Sequence, residues 1–212
     1  NKDYFLHISF QGELGSYSHQ ACSEAFPDAD PLPCSTFETA MDQVKEGNSE
    51  YAIIPVENST YGRVADAYYL LPNSGLFIIK EHFLRVHINL LALPGVSLSE
   101  IKTAMSHSVL LVQCRRFLNK HKIKSLSGID TAGSAKIVSK SKDRSKSALA
   151  SPLAGEIYGL VSLGVEIEDM KNNTTRFLIM SNKKKNVDFV KNIKFMTTIV
   201  FQEKNIPAAL YK

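Results

Sequence analysis

The order of apolar and polar positions along the chain predicts short strands that alternate with helices. Apolar runs at residues 4–10 and 51–56 are typical of buried strands, and each is followed by small polar residues. Further strands are predicted at 76–84, 86–93, 102–105, 147–150 and 175–180. Such alternation indicates an α/β fold with largely parallel sheets.

Capping residues mark where the helices between these strands begin. In segments 35–38 and 97–100 a Ser is followed three residues later by a Glu, which is the spacing of a capping box. Asp130 precedes a further helix, and Pro152 suits the first turn of another. The pattern from 108 to 119 predicts one continuous helix.

Composition narrows the class of protein. The 212 residues are 22% charged and 44% apolar with a net charge of +4, ordinary globular values that exclude a disordered chain. No apolar run approaches the roughly 20 residues of a membrane helix, and the basic stretches lack aromatic residues, so neither a membrane nor a nucleic-acid partner is expected. No secretory pattern opens the sequence, and the cysteines have no metal-binding spacing. We therefore expect a cytoplasmic protein without a metal site, with free thiols at Cys22, Cys34 and Cys114.

The C-terminal part of the chain has a different character. Residues 183–192 are rich in Lys and Asn and are predicted to be a linker. A strand is predicted at 196–202, followed by a turn and the first residues of a helix. Because one strand and part of a helix cannot bury a core, residues 193–212 are either the beginning of a second domain or a C-terminal extension.

Small polar residues follow strand after strand at the predicted helix starts. Helix N-termini bind anions through free N–H groups, and ligands of open α/β sheets collect at the carboxyl ends of strands. The same residue types are also good helix caps, so each junction has two interpretations, whereas the whole set favours a ligand cleft. The junction residues are Gly12, Gly15, Ser16, Tyr17 and Ser18; Glu57, Asn58 and Ser59; Ser106, His107 and Ser108; Asp130, Thr131, Ala132, Gly133 and Ser134; and Ser151.

A second feature is the cation at the start of the last strong strand. Residues 172–175 are polar, and Arg176 stands directly before the apolar run 177–180. A guanidinium in this position can hold a carboxylate through two parallel hydrogen bonds. A surface Arg at a strand start fits the spacing equally well.

Several of these segments together resemble the motifs of one enzyme family, in the same order. They are Gly12-x-x-Gly15-Ser16-Tyr17-Ser18; Pro55-Val56-Glu57-Asn58-Ser59; Ser106-His107 with Gln113-Cys114; Asp130-Thr131-Ala132-Gly133-Ser134-Ala135; Glu156-x-Tyr158-Gly159-Leu160; and Thr175-Arg176-Phe177. This set resembles the prephenate dehydratase family over about residues 5–180, and the Thr-Arg-Phe triplet is that family's active-site motif. Ser108 departs from the family's usual Pro. The tail resembles the start of an ACT regulatory domain.

The resemblance implies a fold and a domain order. It implies a two-lobed α/β catalytic domain with a cleft, similar to type II periplasmic binding proteins, followed by the start of an α+β ACT domain. The expected parts are a catalytic domain at 1–182, a linker at 183–192 and an incomplete ACT domain at 193–212; within the first, lobe one at about 1–80 with 175–181 and lobe two at about 85–170.

The resemblance also implies a reaction. The family converts prephenate to phenylpyruvate, water and carbon dioxide in phenylalanine biosynthesis, and aromatisation of the ring drives the reaction without a cofactor. The expected partners are prephenate, L-phenylalanine as an allosteric effector of the complete protein, and further copies of the chain in a dimer or tetramer. Two alternatives stay open, which are an arogenate dehydratase and a non-catalytic solute-binding or amino-acid-sensing protein of the same architecture.

Residue roles follow from the same resemblance. Thr175 is expected to hydrogen-bond the departing hydroxyl oxygen, and Glu57 and His107 are possible proton donors or structural caps. Arg176 is expected to hold the pyruvyl carboxylate, because a clamp on the ring carboxylate would favour a charge that vanishes as carbon dioxide leaves. On this assignment Arg176→Ala raises KM. Further substrate contacts are expected from Phe177, Ser16, Tyr17, Asn58, Ser59, Ser106, Thr131, Ala132, Gly133, Ser134 and Ser151.

Overall fold

Two β-sheets, one in each lobe, organise the chain. The computed structural model describes residues 6–185 together with 194, 196 and 197. The first lobe contains β1 (His7–Gln11), α1 (Tyr17–Ala25), β2 (Asp30–Cys34), α2 (Phe37–Lys45), β3 (Tyr51–Asn58), β4 (Gly62–Arg63), α3 (Ala65–Leu70) and β5 (Phe77–Arg85).

The second lobe follows, and the chain then returns to the first. The second lobe contains β6 (Asn89–Ala92), a 3₁₀ turn (Leu98–Glu100), β7 (Thr103–Ser106), α4 (Ser108–Gln113), α5 (Arg115–Lys120), β8 (Lys124–Ser127), α6 (Thr131–Lys140), β9 (Lys146–Ala150), α7 (Pro152–Tyr158) and β10 (Val161–Gly164). The last strand described, β11 (Thr174–Ser181), belongs to the sheet of the first lobe.

Both sheets are mixed, so the prediction of largely parallel sheets is wrong. The first sheet has the order β2-β1-β3-β11-β5, with β4 beside β3, and the second has the order β10-β6-β9-β7-β8. β1 is parallel to β2 and β3, and β7 is parallel to β8 and β9. β11 is antiparallel to both its neighbours, as is β6. The reason is that β6 and β11 each enter their sheet from the other lobe, and this reverses their direction.

Alternating side chains of β11 fill both faces of the first sheet. Leu178 and Met180 pack with side chains of α2 and α3, while Phe177 and Ile179 pack on the other face with side chains of α1. All four are at most 2% exposed. Burial therefore fixes which side chains of β11 lie on which face of the sheet. The side chains of the polar residues at its beginning alternate between the same two faces.

One helix start and one helix differ in detail from the sequence pattern. The capping box at 97–100 is confirmed, whereas α2 is capped by Thr36, whose Oγ1 accepts from the N–H of Thr39 at 3.0 Å. The predicted helix 108–119 is broken at Cys114. There the carbonyl of Gln113 accepts from the N–H of Asp169 at 2.7 Å, so the returning chain takes an acceptor that a continuous helix would use itself.

β2 was missed because it contains two prolines. Pro31 and Pro33 lack the N–H that a central strand needs, and β2 lies at the edge of its sheet, where proline is tolerated. The cysteines are free, as predicted, and all three are buried; burial raises the pKa of Cys22 to about 12. In the described ranges we find no helix with the length and apolar character needed to cross a membrane.

The loop between β1 and α1 packs against the second lobe. Ser151 Oγ donates to the carbonyl of Gly15 at 2.6 Å, and the Tyr158 hydroxyl donates to the carbonyl of Leu14 at 2.7 Å. Gly15 has a φ of +88°, and a Cβ built there would lie 3.0 Å from the Cα of Ala154. A glycine is therefore required both by the backbone conformation and by the close approach of the two lobes.

We expect Gly15→Ala to reduce the free energy of unfolding by more than Gly47→Ala does. Gly47 also has a positive φ, of +78°, but an added Cβ would meet nothing within 4 Å. The Gly47 variant therefore carries only the conformational cost of about 1–2 kcal/mol, and the Gly15 variant adds a clash with backbone of the other lobe. Chemical denaturation of both variants measures the difference. Equal losses would contradict a tight contact between the lobes at Gly15.

Candidate active site

A cavity of about 660 Å³ lies between the lobes, at the carboxyl ends of β1, β2 and β7. A cavity of this size accommodates a small organic ligand. Both lobes supply its lining, which consists of Gln11, Gly12, Glu13, Ser16, Tyr17, Ser18, Pro33, Cys34, Ser35, His107, Leu110, Ile129, Asp130 and Thr131.

The N-termini of α1 and α6 open onto this cavity from opposite lobes. Ser16 caps α1 by accepting from the N–H of His19 at 3.2 Å, and Asp130 caps α6 by accepting from the N–H of Gly133. Other N–H groups of each first turn have no carbonyl partner within the helix, and both ends carry partial positive charge. The predicted contacts Ser16, Tyr17 and Thr131 thus lie where an anion would be bound.

His107 lies at the same cavity on the second lobe. It is exposed and is the cap of α4, where its Nδ1 accepts from the N–H of Val109 at 3.3 Å. The capping role anticipated from the sequence is therefore present, and the ring nevertheless faces the cavity.

Thr175 lies at the edge of the first sheet that faces the second lobe, next to the carboxyl end of β3. Its Oγ1 accepts from the side-chain amide of Asn58 at 2.9 Å, and the same Nδ2 donates to Asn173 Oδ1 at 2.7 Å. Asn58 Oδ1 accepts from the N–H groups of Thr60 and Tyr61 at 2.8 and 3.1 Å, which fixes the amide orientation. Because Thr175 accepts in this contact, its own hydroxyl proton is available for a ligand oxygen.

Ser59 ties the ends of β3 and β11 together. Its Oγ donates to the carbonyl of Asn172 at 2.6 Å and accepts from the N–H of Thr174 at 2.9 Å. The hydroxyl predicted to contact substrate is thus engaged with the backbone, and its observed role is to hold the strand that carries Thr175.

Arg176 lies on the other face of β11. Its Nε donates to Glu81 Oε2 at 2.8 Å, its Nη1 is 3.6 Å from Glu57 Oε1, and its Nη2 is 3.2 Å from the sulfur of Met196. The partner expected for this guanidinium was the pyruvyl carboxylate of the substrate, whereas in the structure it is bonded to the carboxylate of Glu81. Arg176 lines a separate hollow of about 300 Å³, together with Glu57, Asn58, Ser59, Gly62, Arg63, Phe83 and Thr174.

The prephenate dehydratase family model matches residues 8–185. The chain belongs to this family. It is 40% identical over 205 residues to a bifunctional N-acyl-homoserine lactone acylase/prephenate dehydratase of Komagataeibacter europaeus, covering 97% of this chain and 73% of that protein. It is 39% identical to arogenate dehydratase/prephenate dehydratase 1 of Arabidopsis thaliana, covering 99% of this chain but only 53% of that protein. The chain thus spans about half the length of this plant relative.

Two solved structures are similar. Prephenate dehydratase from Arthrobacter aurescens, in complex with L-Phe, has 28% identity and a TM-score of 0.80, covering 87% of this chain and 63% of that one. A protein described as a novel type of quorum quenching acylase has 40% identity and the same TM-score, 0.80, covering 86% of this chain and 66% of that one. The two-lobed α/β fold expected from the sequence is confirmed.

Five residues that the family resemblance suggested as substrate contacts have buried side chains. Phe177 is 1% exposed in the core beside α1, because its position on β11 directs it there. Ser106 donates to the carbonyl of Leu149 at 2.7 Å, and Ser134 donates to that of Asp130 at 2.6 Å. These side chains support the cavity walls and do not line them, as is also the case for Ala132 and Ser151. At Gly133 the backbone N–H is engaged by the helix cap Asp130.

Part of the cavity lining and part of its support are not predicted by the sequence pattern. Cys34 and Ser35 line the cavity and were not named because β2 was not predicted, and Gln11 lines it from the end of β1, one residue beyond the predicted strand. The buried His19 was also missed. Its ring stacks on Phe10 with centroids 5.4 Å apart, and its Nδ1 accepts from the N–H of Gly15 at 2.9 Å. The available signal was its position directly after the first motif, three positions after the cap Ser16.

Burial lowers the pKa of His19 from its ordinary value of 6.5. Protonation would also destroy the acceptor that the N–H of Gly15 uses. In the window below about pH 6.5 the unfolded chain therefore binds a proton that the folded protein resists, so the free energy of unfolding falls as pH is lowered. We expect His19→Asn, which keeps an acceptor but does not titrate, to reduce this pH dependence. Thermal unfolding of both proteins from about pH 7 to 5 measures it, and identical slopes would contradict the assignment.

Proposed function

We propose that this chain catalyses the decarboxylating dehydration of prephenate to phenylpyruvate, water and carbon dioxide. Family membership supports the reaction class. The observation that carries the proposal is the Thr175 hydroxyl, whose oxygen is engaged by Asn58 at 2.9 Å and whose proton is left to donate. A donor held in this way is suited to an oxygen that gains negative charge as its bond to carbon breaks.

The shape of prephenate fits the arrangement of these groups. Its two carboxylates lie at one end of the ring, and its hydroxyl lies at the other. The paired N-termini of α1 and α6 supply the anion site, and Thr175 supplies the donor. Thr175 lies on β11, two strand spacings from β1, which is about 10 Å.

Binding by helix N-termini also suits the chemistry. As the ring carboxylate leaves as carbon dioxide, its bonding electrons move through the ring, the bond to the hydroxyl oxygen breaks, and the departing hydroxide takes a proton to form water. A tight cation on the ring carboxylate would stabilise the ground state, whereas the partial charge of a helix end does so only weakly. Of the predicted proton sources, His107 lines the cavity, and Glu57 lies beside Arg176, so the geometry favours His107.

Arogenate, the amino analogue, is the second candidate substrate, because curated plant relatives at 34–39% identity are named for arogenate dehydratase. L-phenylalanine is the proposed effector of the complete protein, since the Arthrobacter relative was solved with it. The expected ACT segment 193–212 lies outside the described residues apart from 194, 196 and 197. The linker, a cytoplasmic location and a homo-oligomeric assembly stay predictions.

We expect Thr175→Val to lower kcat on prephenate by about 10²- to 10³-fold with a much smaller change in KM, because the lost donor acts on the departing oxygen. Thr175→Ser keeps the hydroxyl and retains most of the activity. Thr174→Val is the matched control, since Thr174 is the preceding residue of the same strand and its side chain lies on the other face. Formation of phenylpyruvate is followed by its absorbance.

The outcomes of this assay separate the candidates. Prephenate that binds tightly to the wild-type protein without turnover would support the solute-binding alternative and contradict the proposed reaction. A higher kcat/KM on arogenate would reassign the substrate. Equal losses in Thr174→Val and Thr175→Val would indicate a disturbed strand and not a missing donor.

A further inference from the structure

Thr175 and Arg176 are neighbours in sequence but lie on opposite faces of β11. Thr175 is paired with Leu84 of β5, and both share the face on which Phe177 packs against α1. Arg176 is paired with Phe83 of β5 and lies on the other face. The cavity is lined by the beginning of α1, so Thr175 is on its side of the sheet and Arg176 is not.

The guanidinium of Arg176 connects three strands. It is bonded to Glu81 of β5 at 2.8 Å and lies 3.6 Å from Glu57 of β3, on either side of its own strand. The Arg176 side chain is 17% exposed, which is less than that of Glu81 at 29% or Glu57 at 45%. A planar guanidinium with several fixed donors is well suited to such a double contact. Its charge is thus matched by carboxylates of the protein itself.

These contacts lie at an irregularity of the sheet. The pairing of β11 with β3 shifts between Arg176, opposite Glu57, and Phe177, opposite Pro55. Pro55 has no N–H to offer the ladder, so the pairing is weakened at this point. A bulge of this kind redirects the neighbouring side chains, and bulges are frequent beside active sites. The residue without a partner in this pairing is Val56, on β3, so it is the end of β3 whose direction depends on how this stretch is held. That end carries Asn58, whose amide donates to the Thr175 hydroxyl oxygen at 2.9 Å and orients it.

We propose that Arg176 is a positioning residue, which holds the bulge through Glu81 and Glu57 and so keeps Thr175 aimed at the substrate, and that it does not bind a substrate carboxylate. This inference rests on the proposed function, and it replaces the role that the motif suggested for Arg176. In this arrangement the guanidinium lies on the face of β11 opposite to Thr175, where it connects β5 with β3 through their carboxylates.

Kinetics of Arg176→Ala and Glu81→Gln test the proposal. A positioning role predicts that Arg176→Ala lowers kcat by about tenfold or more with KM nearly unchanged, and that Glu81→Gln lowers kcat in the same sense. The double variant should be no worse than Arg176→Ala alone, because both changes break one connection. A substrate clamp predicts the opposite pattern, in which Arg176→Ala raises KM and Glu81→Gln frees the guanidinium and leaves KM equal or lower. That pattern would overturn the proposal.

Controls distinguish the possible failures. Arg144→Ala removes an ion pair with Glu100 at 2.9 Å in the second lobe and should leave kcat and KM unchanged. Arg176→Lys keeps a cation and should have a higher kcat than Arg176→Ala. If Arg176→Ala does not fold, Arg176→Lys takes its place in the test. Prephenate affinity measured by calorimetry gives a readout besides turnover. If the wild-type protein binds prephenate without turnover, the proposed function fails. If Arg176→Lys and Arg176→Ala bind prephenate more weakly than the wild-type protein, the positioning role of Arg176 is overturned. Unchanged prephenate binding by these variants supports that role.

Discussion

The insertion of β11 between β3 and β5 is the constraint on which the site depends. It brings Thr175 into contact with Asn58 across 117 residues of sequence, and no local element could do so. Burial of Phe177, Leu178, Ile179 and Met180 on the two faces fixes the rotation of the strand. Since a slip of one residue would exchange the faces, the hydrophobic core of the first lobe determines which way the threonine points.

Hydrogen bonds between the two lobes fix their relative position and so form the cleft. One is the contact of the β1–α1 loop with Ser151. Another lies at the crossovers, where the buried Glu168 accepts from the N–H of Ile88 at 3.0 Å and contacts His87 Nδ1 at 3.2 Å. The Tyr17 hydroxyl donates to the carbonyl of His87 at 2.9 Å, and burial raises the pKa of this tyrosine. The start of α1 is thereby bonded to the crossover between the lobes and also lines the cavity.

Partial positive charge in this cleft comes from backbone N–H groups at two helix ends, and the side chains of Glu13 and Asp130 also line it. Two helix N-termini meet at the cavity, and for the proposed substrate they would offer an anion site without a buried cation beside the carboxylate that is lost. The conspicuous cation of the motif, Arg176, is matched by Glu81 and Glu57 on the far side of the sheet. Adjacent residues of one motif can thus serve different purposes because a strand presents them to different environments.

The sequence by itself determined the alternation of elements, the cap of α6 at Asp130 and the family motifs, because these depend on residues close together in the chain. It also predicted Thr175 as the residue most tied to catalysis, and this role stays a prediction. Only the tertiary structure decided the direction of β6 and β11, the break at Cys114 and the partners of Arg176. Those features arise from contacts between residues far apart in sequence, where a strand direction or a carbonyl partner is set by what packs beside it.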